Sequence, residues 1–177
     1  AFSTIANNDK VGVIFFSDKV EKFIPAQKGK THVLHIIREL LSFEPSSSGT
    51  DIAQALQYFA NAQKRHCTAF LISDFIGSGT MYKPLLIASN RHELNAIQIY
   101  DRREAELPNV GLVKFHDAET GGDLWVDTSI AAVRNEYAKT WNDNQNELQQ
   151  LFPRTGVNNI SIRTDEDYVK ALMHLFR

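Results

Sequence analysis

The 177-residue sequence predicts an α/β fold: an open, mostly parallel sheet with helices on both faces, and a β-hairpin excursion near residues 112–127. Three observations predict it. Short, nearly continuous apolar runs recur at Val11–Phe16, Cys67–Ile72 and Leu94–Tyr100, as strands buried on both faces require. Segments of helical periodicity stand between these runs. Each run then stops at a polar turn, namely Ser17-Asp18, Ser73-Asp74 and Asp101.

The elements follow in order. Val11–Phe16 is closed by Ser17-Asp18-Lys19, and Val20–Pro25 alternates well enough for an edge strand reached through a tight hairpin, with Pro25 ending it. Val33, Leu34, Ile36, Ile37, Leu40 and Leu41 then mark one apolar helix face, which Glu44-Pro45-Ser46-Ser47-Ser48-Gly49 terminates. A second helix is expected from Asp51 to about Lys64, with Ile52, Leu56 and Phe59 at core spacing, Thr50 as its N-cap and Asp51 favoured by the helix dipole. After the Cys67 strand, Gly77-Ser78-Gly79 loosens the chain before a helix near Met81–Arg91. Leu112–Phe115 and Leu124–Val126 flank Glu119-Thr120-Gly121-Gly122, a hairpin signal. A long helix from Ser129 to about Phe152, capped by Thr128 or Ser129, is stopped by Pro153 and Gly156. A last strand, Asn159–Arg163, precedes a closing helix over Asp165–Phe176 with Thr164 as its cap. No internal repeat or low-complexity linker interrupts the pattern, so residues 1–177 read as a single domain.

Composition narrows the function. At 43% apolar and 23% charged residues the chain can build one sizeable core, and whole-chain disorder is excluded. Nineteen basic against twenty-one acidic residues leave no positive excess to neutralise a phosphate backbone, so no nucleic-acid partner is expected. Cys67 is the single cysteine, which forbids an internal disulfide and fits a reducing compartment. No apolar run approaches the roughly 18 residues of a membrane span, and the first residues carry no signal-peptide layout. A cytoplasmic domain is the expectation.

The chemistry-bearing residues are Ser46-Ser47-Ser48-Gly49-Thr50-Asp51 and Ser73-Asp74. Both segments belong at the carboxyl edge of the strands, where open α/β sheets gather ligands. The Thr50 hydroxyl and Asp74 carboxylate are hard oxygen donors suited to Mg²⁺ or Mn²⁺. The plainer reading is that Thr50 caps a helix and Asp74 starts a turn. Asp127-Thr128-Ser129-Ile130-Ala131 imitates a metal loop, but Ala131 lacks a ligating hydroxyl and cap duty suits Thr128 or Ser129 better. Gly29-Lys30-Thr31 falls short of a phosphate-binding loop, since the earlier glycine position is Ile24, followed by Pro25. His32 and His35 could chelate across one helical turn, although a surface pair is the simpler assignment. Asp101-Arg102-Arg103-Glu104 could line the same edge or form a solvated loop. A rival class is an α/β hydrolase or phosphotransferase using Asp74 or Asp101, for which neither a nucleophile–base pair nor a phosphate loop is found.

Several of these segments resemble a known family. Asp9-Lys10-Val11-Gly12-Val13-Ile14-Phe15-Phe16-Ser17-Asp18 looks like the second strand of von Willebrand factor A-like domains. Ser48-Gly49-Thr50-Asp51 and Leu71-Ile72-Ser73-Asp74-Phe75 look like the later metal-site segments of those domains. His116-Asp117-Ala118-Glu119-Thr120-Gly121, Val126-Asp127-Thr128 and Arg134-Asn135-Glu136-Tyr137 narrow the match to the bacterial domain-of-unknown-function family fifty-eight, often encoded beside MoxR-type AAA+ ATPases. The resemblance implies a Rossmann-like sheet and a metal-ion-dependent adhesion site, with Thr50 and Asp74 matching two of its three pieces. It further implies a non-enzymatic protein-interaction module that acts with a protein partner, a MoxR-type AAA+ ATPase. The third piece, an Asp-x-Ser-x-Ser loop after a first strand, is not found before Asp9. The chain is therefore expected to be truncated at its N-terminal side, with Ala1–Asn8 as the tail of a helix and metal binding weak or absent. Without that strand, either the Val11 and Cys67 strands pair directly or another chain completes the sheet as a homo-oligomer.

Overall fold

The structure, a computed structural model, describes residues 8–77, 80–116 and 121–175. The expected helix tail at Ala1–Asn8, the Ser78-Gly79 part of the flexible loop and the Glu119-Thr120 part of the hairpin turn fall outside those residues, Asn8 apart. The chain runs β1 (Val11–Phe16), β2 (Val20–Gln27), α1 (Lys30–Ser42), α2 (Ile52–Ala62), β3 (Thr68–Ser73) and α3 (Tyr82–Ser89). It continues through β4 (Glu93–Tyr100), α4 (Arg102–Ala105), β5 (Leu112–His116), β6 (Asp123–Asp127), α5 (Ala131–Arg154), β7 (Asn158–Arg163) and α6 (Tyr168–Leu175).

Among the described residues the strands form three sheets, where an open, mostly parallel sheet with a β-hairpin excursion was expected. β3, β4 and β7 make a parallel sheet with β4 in the centre, in register from Thr68 opposite Glu93 and from Asn95 opposite Asn158. β1 and β2 form an antiparallel hairpin, and β5 and β6 form another at the expected excursion. Among the described residues β1 pairs only with β2 and β3 only with β4, so direct β1–β3 pairing does not occur.

Local departures have local causes. Pro25 does not end β2, because register shifts on β1 between Val11 and Val13 place it at an irregularity, where a missing N–H is tolerated. Gly12 stands at the same irregularity. A Cβ there would come within 2.8 Å of the Ala26 nitrogen and the Ile24 oxygen, so this approach of β1 to β2 requires glycine. α2 starts one residue late, and Asp51 caps it in place of Thr50, its carboxylate accepting the Gln54 N–H at 2.9 Å. α5 starts at Ala131 with no side-chain cap. Thr128, fully buried, instead bridges to the β5 hairpin, donating to the Gly111 carbonyl at 2.7 Å and accepting from the Val110 N–H at 3.0 Å. Pro153 sits inside the last turn of α5. Thr164 caps nothing; its hydroxyl donates to Asp101 at 3.0 Å, and α6 starts only at Tyr168.

The main core lies between one face of the parallel sheet and three helices. Leu71, Leu94 and Ala96 from the strands meet Ile52 and Leu56 of α2, Leu85 and Ala88 of α3, and Leu148 and Phe152 of α5. A smaller core under the first hairpin joins Phe15, Ile24 and Ile36, with Phe15 and Phe43 stacked at 4.8 Å. Phe16 reaches from β1 into the main core, and so ties the two sheets through α2.

Candidate functional site

Three loops meet solvent at the carboxyl ends of the strands, and each is fixed by its own backbone. After β1, the Ser17 hydroxyl donates to Glu21 at 2.7 Å, and Glu21 also accepts the Ser46 N–H at 3.0 Å and its hydroxyl at 2.7 and 2.8 Å. The Asp51 N–H donates to the Ser17 carbonyl at 2.8 Å. The serine-rich loop is thereby fastened to the end of the hairpin, which leaves Thr50 exposed at its outer side. These hydroxyl bonds hold the Glu21 carboxyl below its ordinary range, because they favour the charged form. Sequence reasoning missed Glu21. The only signal was a serine cluster lacking an acceptor, and nothing in the spacing joined residue 21 to residue 46.

The loop after β3 is the most constrained of the three. Phe75 has φ 58, in the left-handed region uncommon for a large side chain, yet it is only 1% exposed and meets Phe152 edge-to-face at 5.3 Å. The buried ring pins the strained turn. Asp74, one residue earlier, is exposed, and its carboxylate accepts the Ile76 N–H at 3.2 Å. Its carbonyl accepts from Gln98 at 3.0 Å, and Ser161 donates to the Gln98 side chain at 2.7 Å, so all three parallel strands hold Asp74 in place.

After β4, Asp101 caps the short helix α4 through the Arg103 N–H at 2.9 Å, where a solvated loop was expected. The Arg103 and Thr164 bonds hold its carboxyl below the ordinary range. Both carboxylate oxygens of Asp101 are thus engaged, one at the helix cap and one by Thr164. Glu104 behaves oppositely: burial raises its pKa, with Asp74 and Asp101 adding repulsion, and one of its oxygens is buried with no hydrogen-bond partner among the described residues. Asp74, Asp101 and Glu104 thus share one electrostatic neighbourhood. An open cleft of about 720 Å³ between the loop after β3 and α5 is lined by Phe75 and Met81 together with Asn144 and Arg154.

Thr50 and Asp74 both reach solvent on edge loops. Among the described residues no three His, Cys, Asp or Glu side chains converge on a point. The other candidates resolve into structural roles. His32 bonds the Val11 carbonyl at 2.8 Å while His35 faces Glu39 at 3.8 Å, so the pair has separate partners. Asp127 accepts the Ser129 N–H and hydroxyl at 2.9 and 2.6 Å. Gly29-Lys30 simply begins α1. Cys67 lies 3.6 Å from the buried His92, and burial raises its thiol pKa away from reactivity.

The geometry defines a class: an α/β domain with a parallel central sheet that presents acidic loops at the carboxyl ends of its strands. Within that class the chain belongs to the family described as "Protein of unknown function DUF58", whose family model matches residues 1–147. The chain is 27% identical over 176 residues to uncharacterized protein Rv1480 of Mycobacterium tuberculosis, covering 97% of this chain and 55% of that protein. It is 28% identical over 158 residues to uncharacterized protein MAV169 of Mycobacterium avium, covering 87% of this chain and 92% of that protein. The chain therefore spans about half the length of the first of these relatives. Among solved structures, the conserved hypothetical protein BatB of Bacteroides thetaiotaomicron shares the fold at a TM-score of 0.55 and 16% identity, covering 99% of this chain and 82% of that one. An aerotolerance-related membrane protein from Bacteroides fragilis does so at 0.56 and 19%, covering 94% and 78%. Among the described residues no helix is long and apolar enough to cross a membrane.

Proposed function

We propose that this domain is a non-enzymatic protein-interaction module of the von Willebrand factor A-like, metal-ion-dependent adhesion type, which receives its partner on the acidic loops at the carboxyl edge. The observation that carries the reading is Asp74: an exposed carboxylate on a turn whose next residue, Phe75, is buried at a positive φ. A side chain held rigidly in solvent at a strained turn suits recognition, since little ordering is left to occur on binding. Thr50 and Asp74 would contribute two hard oxygens toward Mg²⁺ or Mn²⁺, and the remaining protein ligands would come from outside residues 1–177. The cation would let an acidic edge accept a partner's Asp or Glu, which Asp74, Asp101 and Glu104 would otherwise repel. The resemblance makes a MoxR-type AAA+ ATPase the partner to test, and the single cysteine, Cys67, fits the cytoplasm as the compartment.

Calorimetric titration of Mg²⁺ and Mn²⁺ into the full-length polypeptide tests the metal. One divalent site, weakened at least about tenfold by Asp74→Ala, is expected for loss of one charged ligand. No binding, together with no effect of Asp74→Ala on capture of the ATPase, overturns the reading.

A further inference from the structure

We propose that the groove between the β5–β6 hairpin and the first half of α5 docks an amphipathic helix of a protein partner, one that carries apolar residues a turn apart and a lysine or arginine beside them. The inference rests on the interaction reading only in taking the occupant to be a protein, and it needs no metal.

The hairpin has two unlike faces. Its register sets Val113 opposite Val126 and Phe115 opposite Leu124, so these four apolar side chains share one face. Lys114, His116, Asp123 and Asp127 stand on the other, where Asp123 pairs with Lys114 at 2.6 Å and with His116 at 2.9 Å. A face patterned like the first belongs against a core. α5 covers it only in part. An open groove of about 400 Å³ remains, lined by Phe115, Leu124 and Val126 of the hairpin, Val133 and Tyr137 of α5, and Leu107. Leu124 is 65% exposed and Phe115 36%.

The two sides of the groove are fixed independently of any occupant. Thr128 holds the base of the hairpin through Gly111 and Val110, and Arg134 of α5 donates to the Thr128 and Ser129 carbonyls at 2.6 and 2.9 Å. The Tyr137 hydroxyl donates to the Arg103 carbonyl at 3.2 Å, which sets the groove beside α4 at the carboxyl end of β4. A site held open in this way costs little further ordering when it is filled.

Charge selects the occupant. Glu136 also lines the groove; it is exposed, and among the described residues no basic side chain pairs with it. A wholly apolar cover would strip water from that carboxylate and return nothing, so the occupant must bring a cation. A second copy docked symmetrically through the same groove brings another Glu136 and no cation, since no lysine or arginine lines it. An anionic lipid surface would meet Glu136 and Asp127 with like charge. The groove presents side chains rather than a free backbone edge, which suits a helix better than an added strand. From Val133 to Thr140 it follows ~10 Å of α5, room for about two helical turns.

Fluorescence anisotropy of the full-length polypeptide with a synthetic helical peptide tests this. The probe carries leucines at i, i+3, i+4 and i+7 flanked by lysines. One control replaces the lysines with glutamates, and a second shuffles the same residues out of helical register. The lysine probe is expected to bind at least about tenfold tighter than either control, with or without EDTA and equally well to Asp74→Ala. Leu124→Ser, at an exposed position, should weaken it about tenfold, and Glu136→Lys should transfer the preference to the glutamate control. Equal binding of a control to the unaltered protein overturns the proposal, as does lysine-probe binding indifferent to both substitutions. Self-association abolished by Leu124→Ser overturns it in favour of a second copy. Binding to phosphatidylglycerol vesicles abolished by the same change overturns it in favour of a lipid surface. Probe binding lost in EDTA overturns its independence of metal. Failure to bind Mg²⁺ and to capture the ATPase, with probe binding intact, defeats the adhesion reading alone, and the converse result defeats the groove alone.

Discussion

Phe75 offers the sharpest test of how the edge is held. Its ring is 1% exposed in the main core and meets Phe152 at 5.3 Å. Truncation to alanine should cost about 3–5 kcal/mol, the usual range for emptying a buried phenylalanine site. The backbone then adds a second, opposite signature. At φ 58 any side chain with a Cβ suffers roughly 1–2 kcal/mol of strain that glycine escapes. Glycine gives back about 0.5–1 kcal/mol through the greater freedom of its unfolded chain. Phe75→Gly should therefore be as stable as Phe75→Ala or up to about 1.5 kcal/mol more stable, the reverse of the order at ordinary positions. Equilibrium unfolding in guanidinium chloride, with equal slopes for both variants, measures the difference. A glycine variant less stable than the alanine variant by about 1 kcal/mol would refute the claim that the turn is strained and pinned by the ring.

Three further outcomes follow from the same structure. Gly12→Ala places a Cβ 2.8 Å from backbone atoms of β2 and should cost about 1–3 kcal/mol by overpacking; an unchanged unfolding midpoint would mean the hairpin is looser than described. The Glu21 carboxyl lies below its ordinary range because Ser17 and Ser46 donate to it, so it adds stability above the unfolded pKa that is lost as pH falls through the folded one. Glu21→Gln should flatten the acid limb of the stability curve, and an unaltered limb would count against the tether. His92 is 3% exposed and its pKa is pushed down by burial first, then by His66 and Arg91. Its contribution is full above the ordinary imidazole range near about 6.5 and lost as pH falls through the folded pKa, so His92→Gln should reduce the fall in stability from neutral toward mildly acidic pH. An NMR titration midpoint at or above the ordinary histidine value would sink that assignment.

The sequence was legible where chemistry is local. Apolar runs located β1, β3 and β4, helical periodicity located α1, α2 and α5, and the glycine-rich turn located the β5–β6 hairpin, because each depends on residues close in the chain. Helix ends were read less well. Thr50, Thr128, Ser129 and Thr164 were all plausible caps, and choosing among them depends on which distant group competes for each hydroxyl. Thr164 is taken by Asp101, and Thr128 by Gly111 and Val110. Asp51, with its carboxylate already one position nearer, caps α2 instead of Thr50.

The sequence by itself determined the kinds of element, their order and the placing of Thr50 and Asp74 on loops after apolar strands, since side-chain periodicity and turn chemistry act within a few residues. Only the tertiary structure decided how the strands divide into sheets, that Glu21 fastens the serine loop, and that Asp101 is spent on a cap while Glu104 is driven toward its neutral form. Those outcomes depend on partners tens of residues apart, and on burial, which no local pattern encodes.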